Sequence, residues 1–400
     1  MRPMNLDDPS ADDLGQWRRE WMLPTDVTYL NHGSFGPSPY QVHRTRKAWM
    51  DKLERQPMDF LIRQFEGHLD ASLEQLAKFV GTKAHNLIWV DNATFAMNIV
   101  AASVKLEPDD EVLLTDHEYG AVQRIWRATC QKADARMVVQ KMPVLLDATD
   151  EMIDALFAGV TDKTKLIVVS HVTSPTAVIF PVQDICRRAK KLGIRVCVDG
   201  PHALAMLPVN LGEIGCDYYC VSCHKWLCGP FGTGFLYVHP KWQNEMVSPI
   251  VSWGKSLGGN PPSWKDEFQW MGTRDPSAFL TVPTAIEFLE EFGLDRFRDH
   301  GHSLVQFARE EILKLSNNPP LSIDSPTWYG TMVSVPLPDS VQPTSKPGLL
   351  HPLQQKLWDD YKIEVLVTTF RERVYLRVSA YIYNTQEQME YLVQAVKQSM

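Results

Sequence analysis

No apolar run in the 400-residue chain approaches the length of a membrane span, and the acidic opening stretch MRPMNLDDPSADDLG carries no apolar signal core. Basic residues are in the minority, 40 Lys and Arg against 48 Asp and Glu, and they are scattered, so the footprint of a nucleic-acid binder is missing. No internal repeat and no low-complexity tract is present, which removes solenoid architectures. Cysteine is sparse and odd in number: seven residues, none beyond Cys228, several inside apolar runs such as IRVCVD. Disulfide frameworks belong to small secreted chains, so reduced core thiols are expected. Cys220, Cys223 and Cys228 with His224 make a poor zinc set, because zinc ligands pair on turns and Cys220 falls within a strand-like run. What remains after these exclusions is a soluble, cytoplasmic protein that handles small molecules.

The chain is 44% hydrophobic and 22% charged, enough for one large core and a smaller one. Strand-like and helix-like segments take turns through its first two thirds. VTYLNHGSFGPSP reads as a short strand and turn, 39–80 as helices, then NLIWVDNAT into FAMNIVAASV, DEVLLT into AVQRIWRATCQK, ARMVVQ, KLIVVS, VQDICRRAKKLG and IRVCVD. This is the pattern of an α/β fold with a mostly parallel sheet, and the nearly continuous apolar strands predict helices on both faces. From about residue 276 the order changes to helices, the strand TMVSVPLP, the connection DSVQPTSKPG, a helix, strands KIEVLVTTF and RVYLRVSAYIY, and a terminal helix. We expect a large domain over 28–275 and a smaller one made of 1–27 with the α+β module 276–400.

Ligands of an open parallel sheet bind beyond the carboxyl ends of its strands. After NLIWV come Asn92, Ala93 and Thr94 at a helix N-terminus, where free N–H groups and the helix dipole favour an anion; a plain helix cap would look the same. After DEVLLT come His117 and Tyr119, either of which can stack on a planar ligand or sit as a turn aromatic. After KLIVVS come His171, Thr173 and Ser174. After IRVCV come Asp199 and His202; a carboxylate buried there needs a cationic partner or a capping role.

The stretch VSCHKWLCGPFGTGFLYV, residues 221–238, places His224 and Lys225 between two apolar strands. A lysine at a dry sheet edge has its charged form disfavoured, which makes its amine a usable nucleophile for a Schiff base. An anion site, a stacking ring, an aspartate at a strand end and then a lysine are together what pyridoxal 5'-phosphate requires: donors for the phosphate, a face for the ring, and a carboxylate for the pyridine nitrogen.

The motif SCHKWLCGPFGTGFLYV resembles the Ser-x-His-Lys signature of class V, fold-type I pyridoxal phosphate enzymes. YLNHGSFGPSP, NATFAMN, DHEYGA, HVTSPT, DGPH and GTRDPSA resemble, more narrowly, the isopenicillin N epimerase-like branch of that family. The resemblance implies a seven-stranded-type sheet sandwiched by helices and a homodimer with active sites at the interface. By the same resemblance Lys225 forms the Schiff base and moves the Cα proton, Asp199 pairs with the pyridine nitrogen, and His202 lies near the ring hydroxyl. Ala93, Thr94, Ser174, Ser222 and His224 surround the cofactor, Tyr119 in preference to His117 stacks on it, and Thr273 reaches a phosphate in the neighbouring subunit. Arg377 grips the substrate carboxylate through its planar guanidinium, with Asn31 and His32 at the substrate side, and either His32 or a tyrosine is the candidate second acid/base.

The resemblance leaves the reaction open. An isopenicillin N epimerase-like epimerase or racemase leads, a C–S β-lyase of the hercynylcysteine sulfoxide lyase kind follows, and an aminotransferase is the third option. A persulfide-forming desulfurase is disfavoured, because its cysteine belongs on a mobile loop in the C-terminal half, where this chain has none.

Overall fold

The apolar runs become the strands of one large sheet in a computed structural model that describes residues 11–143, 145–254, 263–344 and 350–400. In chain order they are β1 (Leu87–Val90), β2 (Glu111–Thr115), β3 (Arg136–Gln140), β4 (Thr164–Ser170), β5 (Arg195–Asp199), β6 (Tyr218–Ser222) and β7 (Gly234–Val238). Their spatial order is β1-β7-β6-β5-β4-β2-β3. Strand β7 runs antiparallel to both neighbours and the other pairs are parallel. Strands β2, β6 and β7 are buried throughout, whereas β3, with a single neighbour, is half exposed.

Alternation along each strand sorts its side chains between two cores. Leu113, Ile167, Val169, Val196, Val198 and Val221 face one side, which helix Val182–Lys191 covers with Ile185 and Ala189. Val112, Leu114, Leu166, Val168, Cys197 and Cys220 face the other, covered by Ala96, Met97 and Val100 of helix Ala93–Ser103. The two-sided burial explains why these strands read as unbroken apolar runs.

Beyond helices Ser277–Phe292 and Leu294–Leu313 lies a second, antiparallel sheet of β8 (Met332–Pro336), β9 (Leu366–Phe370) and β10 (Arg373–Ser379), in the order β9-β10-β8. The run KIEVLVTTF was expected as a single strand and is divided. Ile363–Glu364 pairs in parallel with Thr28–Tyr29, and the chain then changes partner at buried Val365 to enter β9. The N-terminal segment is tied to this half of the molecule. Trp17 packs edge-on against Phe288 and Phe292, and Trp21 against Tyr381 and Tyr383. The apolar cluster is continuous from these tryptophans to one face of the large sheet, so the expected boundary near 276 is not a gap in packing. Part of the connection DSVQPTSKPG, residues 345–348, lies outside the described residues. Among the described residues no helix is long and apolar enough to cross a membrane.

Candidate active site

The parallel strands bring their carboxyl ends to one edge. Ser170 of β4 pairs with Asp199 of β5, Asp199 with Cys220 of β6, and Ser222 and Val90 meet on either side of Gly234. Gly234 has to be glycine: a Cβ there would collide with the Val221 carbonyl and stand 3.1 Å from Asn92 Cα. At this edge opens a cavity of about 600 Å³, closed on its far side by residues 33–35, Leu366 and Arg377.

One corner is built for an anion. Asn92 caps helix Ala93–Ser103 by accepting from the Phe95 amide at 2.9 Å, and Ser222 Oγ accepts from the Ala93 amide at 2.9 Å. Both contacts hold the first helical turn, with its positive dipole end, against the cavity. His224 shares the wall. Burial pushes its imidazole down to about 4, and its Nδ1 is buried without a partner among the described residues.

The loop after β2 carries Tyr119 to the cavity wall. Buried Glu118 fixes that loop by accepting from Thr115 Oγ1 (2.7 Å), Ser170 Oγ (2.6 Å) and the Ser170 amide (3.2 Å). From the small sheet, Arg371 at the β9–β10 turn donates through Nε to Asp116 at 2.7 Å and through a terminal nitrogen to the Met142 carbonyl at 2.7 Å. His117 points away from the cavity. It is buried against Phe180 and Phe370, with Nδ1 2.7 Å from Thr176 Oγ1. Of the two rings considered for stacking, only Tyr119 lines the cavity.

Lys225 lies 3.0 Å from His202 Nε2. Desolvation, reinforced by the positive charge of Arg377, drives the Lys225 ammonium well below its ordinary value, and Asp199 only partly opposes this. Asp199 shifts the other way: burial raises its carboxyl, and Lys225 is the charge that counteracts the burial. Across the cavity Arg377 donates to the Ser174 carbonyl at 2.7 Å and to Ser34 Oγ at 2.6 Å, while its Nε is buried without a partner among the described residues. Such a site offers an amine with weakened proton affinity, a carboxylate that lacks a full cationic partner, and a guanidinium with spare donor capacity.

Comparison with known proteins places this geometry. The family described as aminotransferase class-V matches residues 58–392. The chain belongs to that family. It is 32% identical over 395 residues to isopenicillin N epimerase of Streptomyces clavuligerus, covering 96% of this chain and 98% of that protein. It is 26% identical to a probable chloroplastic L-cysteine desulfhydrase of Arabidopsis thaliana, covering 93% of this chain and 82% of the relative. Among solved structures it superimposes with a TM-score of 0.79, at 21% identity and over 97% of this chain and 99% of the other, on a variant of C-DES with glycine covalently linked to its pyridoxal phosphate cofactor. The fold is that of the expected class V enzymes, a family that uses pyridoxal 5'-phosphate.

Within this class V enzyme, most residues named from sequence converge on the cavity: Ala93, Thr94, Tyr119, Ser174, Asp199, His202, Ser222, His224, Lys225 and Arg377. Four do not line it. His32 is fully buried and its ring lies flat on Tyr381 at 3.7 Å. Its Nε2 donates to the Lys225 carbonyl at 3.0 Å, which leaves Nδ1 to accept from the Tyr383 hydroxyl at 2.9 Å. Burial lowers it to about 3, and both nitrogens are engaged, so it has no free position from which to exchange a proton with a substrate. His32 instead pins the backbone of Lys225. Asn31 is turned to Glu364, donating at 3.1 Å. Thr273 is exposed, beside an Arg274 that pairs with Asp91 at 3.2 Å. His117 is the fourth.

Among the wall residues that the sequence does not mark, two stand out. Ser34 holds Arg377, and Phe35 stands at the mouth, 64% exposed. The segment GSFG that carries them had been read only for its histidine and asparagine neighbours. Gly36 is the clue to its path: a Cβ there would lie 2.7 Å from the His224 carbonyl and 2.8 Å from that of Lys225, so only glycine lets the segment lie on the lysine loop.

Proposed function

We propose that the chain binds pyridoxal phosphate with its phosphate at the Ala93–Thr94 turn, supported by Ser222 and His224, its ring against Tyr119, its pyridine nitrogen on Asp199 and its carbonyl carbon on Lys225. The residues fit the group. The unpartnered His224 Nδ1 lies beside the helix N-terminus as a further polar contact for phosphate, and a pyridinium N–H supplies the cation that buried Asp199 lacks. When bound, the cofactor withdraws electrons from the substrate Cα and acidifies its proton.

On this reading Arg377 grips the carboxylate of an amino acid or amino-acid conjugate, held at the right height by Ser34 and Ser174. The neutral Lys225 amine would remove the Cα proton from one face, and inversion requires a proton delivered to the opposite face. The reaction we assign is epimerisation at Cα. The observation that carries it is the presence of the low-affinity Lys225 amine and the Arg377 grip in one dry cavity, in a chain similar to an epimerase over nearly its full length.

A second reading, β-elimination of a thiol from a cysteine conjugate, is favoured by a different observation. With His32 locked in the core, no second base is identified opposite Lys225 among the described residues, and elimination needs only one. It also accords with the similarity to a desulfhydrase. Attack on sulfur by an enzyme cysteine is not supported, since all seven cysteines are buried and none lines the cavity. We further propose a homodimer in which exposed Thr273 reaches the phosphate of the partner's site.

The deciding experiment incubates the purified protein with a panel of amino acids and cysteine conjugates in deuterated water. Cα-deuterium incorporation with inversion and no pyruvate supports the epimerase. Pyruvate with thiol release selects the lyase, and neither product from any substrate removes both readings.

A further inference from the structure

We propose that Trp226 is a positioning residue that sets the tautomer of His202 and thereby keeps the Lys225 amine in its proton-accepting form. Trp226 Nε1 lies 3.3 Å from His202 Nδ1, and an indole N–H can only donate. Nδ1 therefore accepts, which places the imidazole proton on Nε2. That nitrogen stands 3.0 Å from Lys225 Nζ, so its proton points at the amine. A neutral amine accepts it through its lone pair, whereas an ammonium, with three donors and no lone pair, would meet N–H against N–H.

The indole cannot easily withdraw. Trp226 is fully buried, with its ring near His32, Phe297 and Tyr381 at centroid distances of 5.4, 6.5 and 6.3 Å. Its backbone carbonyl accepts from the Tyr381 hydroxyl at 3.0 Å. Nor does His202 escape by taking a second proton, because burial and the nearby charges of Lys225 and Arg377 hold it well below its ordinary value. The charged and titratable groups around Lys225 are Arg377 from β10, Asp199 from the end of β5, and His202 and His224 from the loops after β5 and β6. Arg377 opposes the ammonium and Asp199 favours it. The indole adds a fixed hydrogen-bond polarity that neither charge provides. The sequence marks this only as an aromatic residue following the lysine.

The inference rests on Lys225 being the attachment point proposed above, and its test separates the two. The Trp226→Phe variant keeps a ring and removes the N–H. Without that donor His202 is free to carry its proton on Nδ1 and to accept from a Lys225 ammonium. The full-length chain, freed of cofactor, is reloaded with pyridoxal phosphate over a pH series while the visible absorption band is followed. The variant is expected to move the acid limb of the loading rate upward by about one pH unit, roughly tenfold slower loading on that limb, with wild-type rates at high pH. An unmoved midpoint, even with loading slowed uniformly, would overturn the proposal. Should the variant not fold, the imidazole ¹⁵N shifts of His202 in the wild-type chain, assigned with His202→Asn, decide the matter. A proton on Nε2 is expected and a proton on Nδ1 overturns it. Failure of the attachment reading has its own signature, an unchanged visible band in Lys225→Ala.

Discussion

The floor of the cavity and its mouth are built differently. Around Lys225 the side chains of His32, Trp226 and Tyr381 are fully buried, and each has a directed hydrogen bond to the lysine loop or to His202. At the mouth Phe35 is 64% exposed and Tyr119 is 49% exposed. The floor is over-determined: a polar group placed there without a partner would cost stability, and the polar hydrogens of His32, Trp226 and Tyr381 each have an acceptor. Few contacts constrain the mouth. On the proposed function, the chemistry resides in the part that cannot vary cheaply, and the mouth is the part free to differ between substrates.

The sharpest way to break this comparison is at Lys225. Lys225→Ala should lower turnover by roughly 10³-fold or more and abolish the visible band, with little loss of stability because a partly buried amine is removed from a dry wall. Next is Arg377→Ala, expected to reduce kcat/KM by about 10–100-fold, the size of a lost charge-assisted hydrogen bond of about 1.5–3 kcal/mol. The change should appear mainly in KM if the grip is equal in ground and transition states. An Arg377→Ala enzyme with unchanged KM would remove the carboxylate from the account.

His32→Phe tests the floor as structure. The ring can still stack on Tyr381, and the Lys225 carbonyl keeps the Cys228 amide at 2.8 Å, but the Tyr383 hydroxyl loses its His32 partner, at about 1–3 kcal/mol for a group left buried and unpaired. Denaturant unfolding should show that loss, while the pH profile of the residual activity keeps its shape. A lost limb in that profile would restore His32 as an acid/base.

Burial of imidazoles makes the folded chain sensitive to acid. His32, His117, His171, His202 and His224 all titrate below their unfolded value of 6.5 in the folded chain. The unfolded state therefore binds more protons between about pH 4 and 6.5, and stability rises with pH across that window. Glu118, raised by burial to about 7, and Asp199, shifted upward, act with the opposite sign. Five imidazoles against two carboxyls predict net destabilisation as pH falls from 6.5 to 4, measurable as a falling denaturant midpoint. The smallest effect is expected at the mouth. Phe35→Ser should leave stability within about 0.5 kcal/mol and change KM a few-fold, differently for different substrates.

Much of this was legible in the chain, and for a physical reason. Continuous apolar strands can only be central, so the residues after them had to gather at one edge, which placed Asn92, Tyr119, Asp199 and Lys225 together. What the sequence concealed was orientation across long separations. His32 and Tyr383 meet over 351 positions, and nothing local distinguishes a histidine held there from one facing a substrate. His117 and Tyr119 are two residues apart, and His117 is drawn out of the cavity wall by Thr176 and Phe370, from remote parts of the chain. The division of KIEVLVTTF was hidden likewise, because its first strand pairs with Thr28–Tyr29. Ser34 gave no signal until Arg377 was seen to lean on it.

The central claim is that Lys225 is the residue to which the cofactor attaches. Borohydride reduction of the freshly purified protein followed by peptide mass mapping tests it most directly. The account requires a phosphopyridoxyl group on Lys225 and on no other lysine; a label elsewhere, or a reduced protein with none after incubation with pyridoxal phosphate, would contradict it.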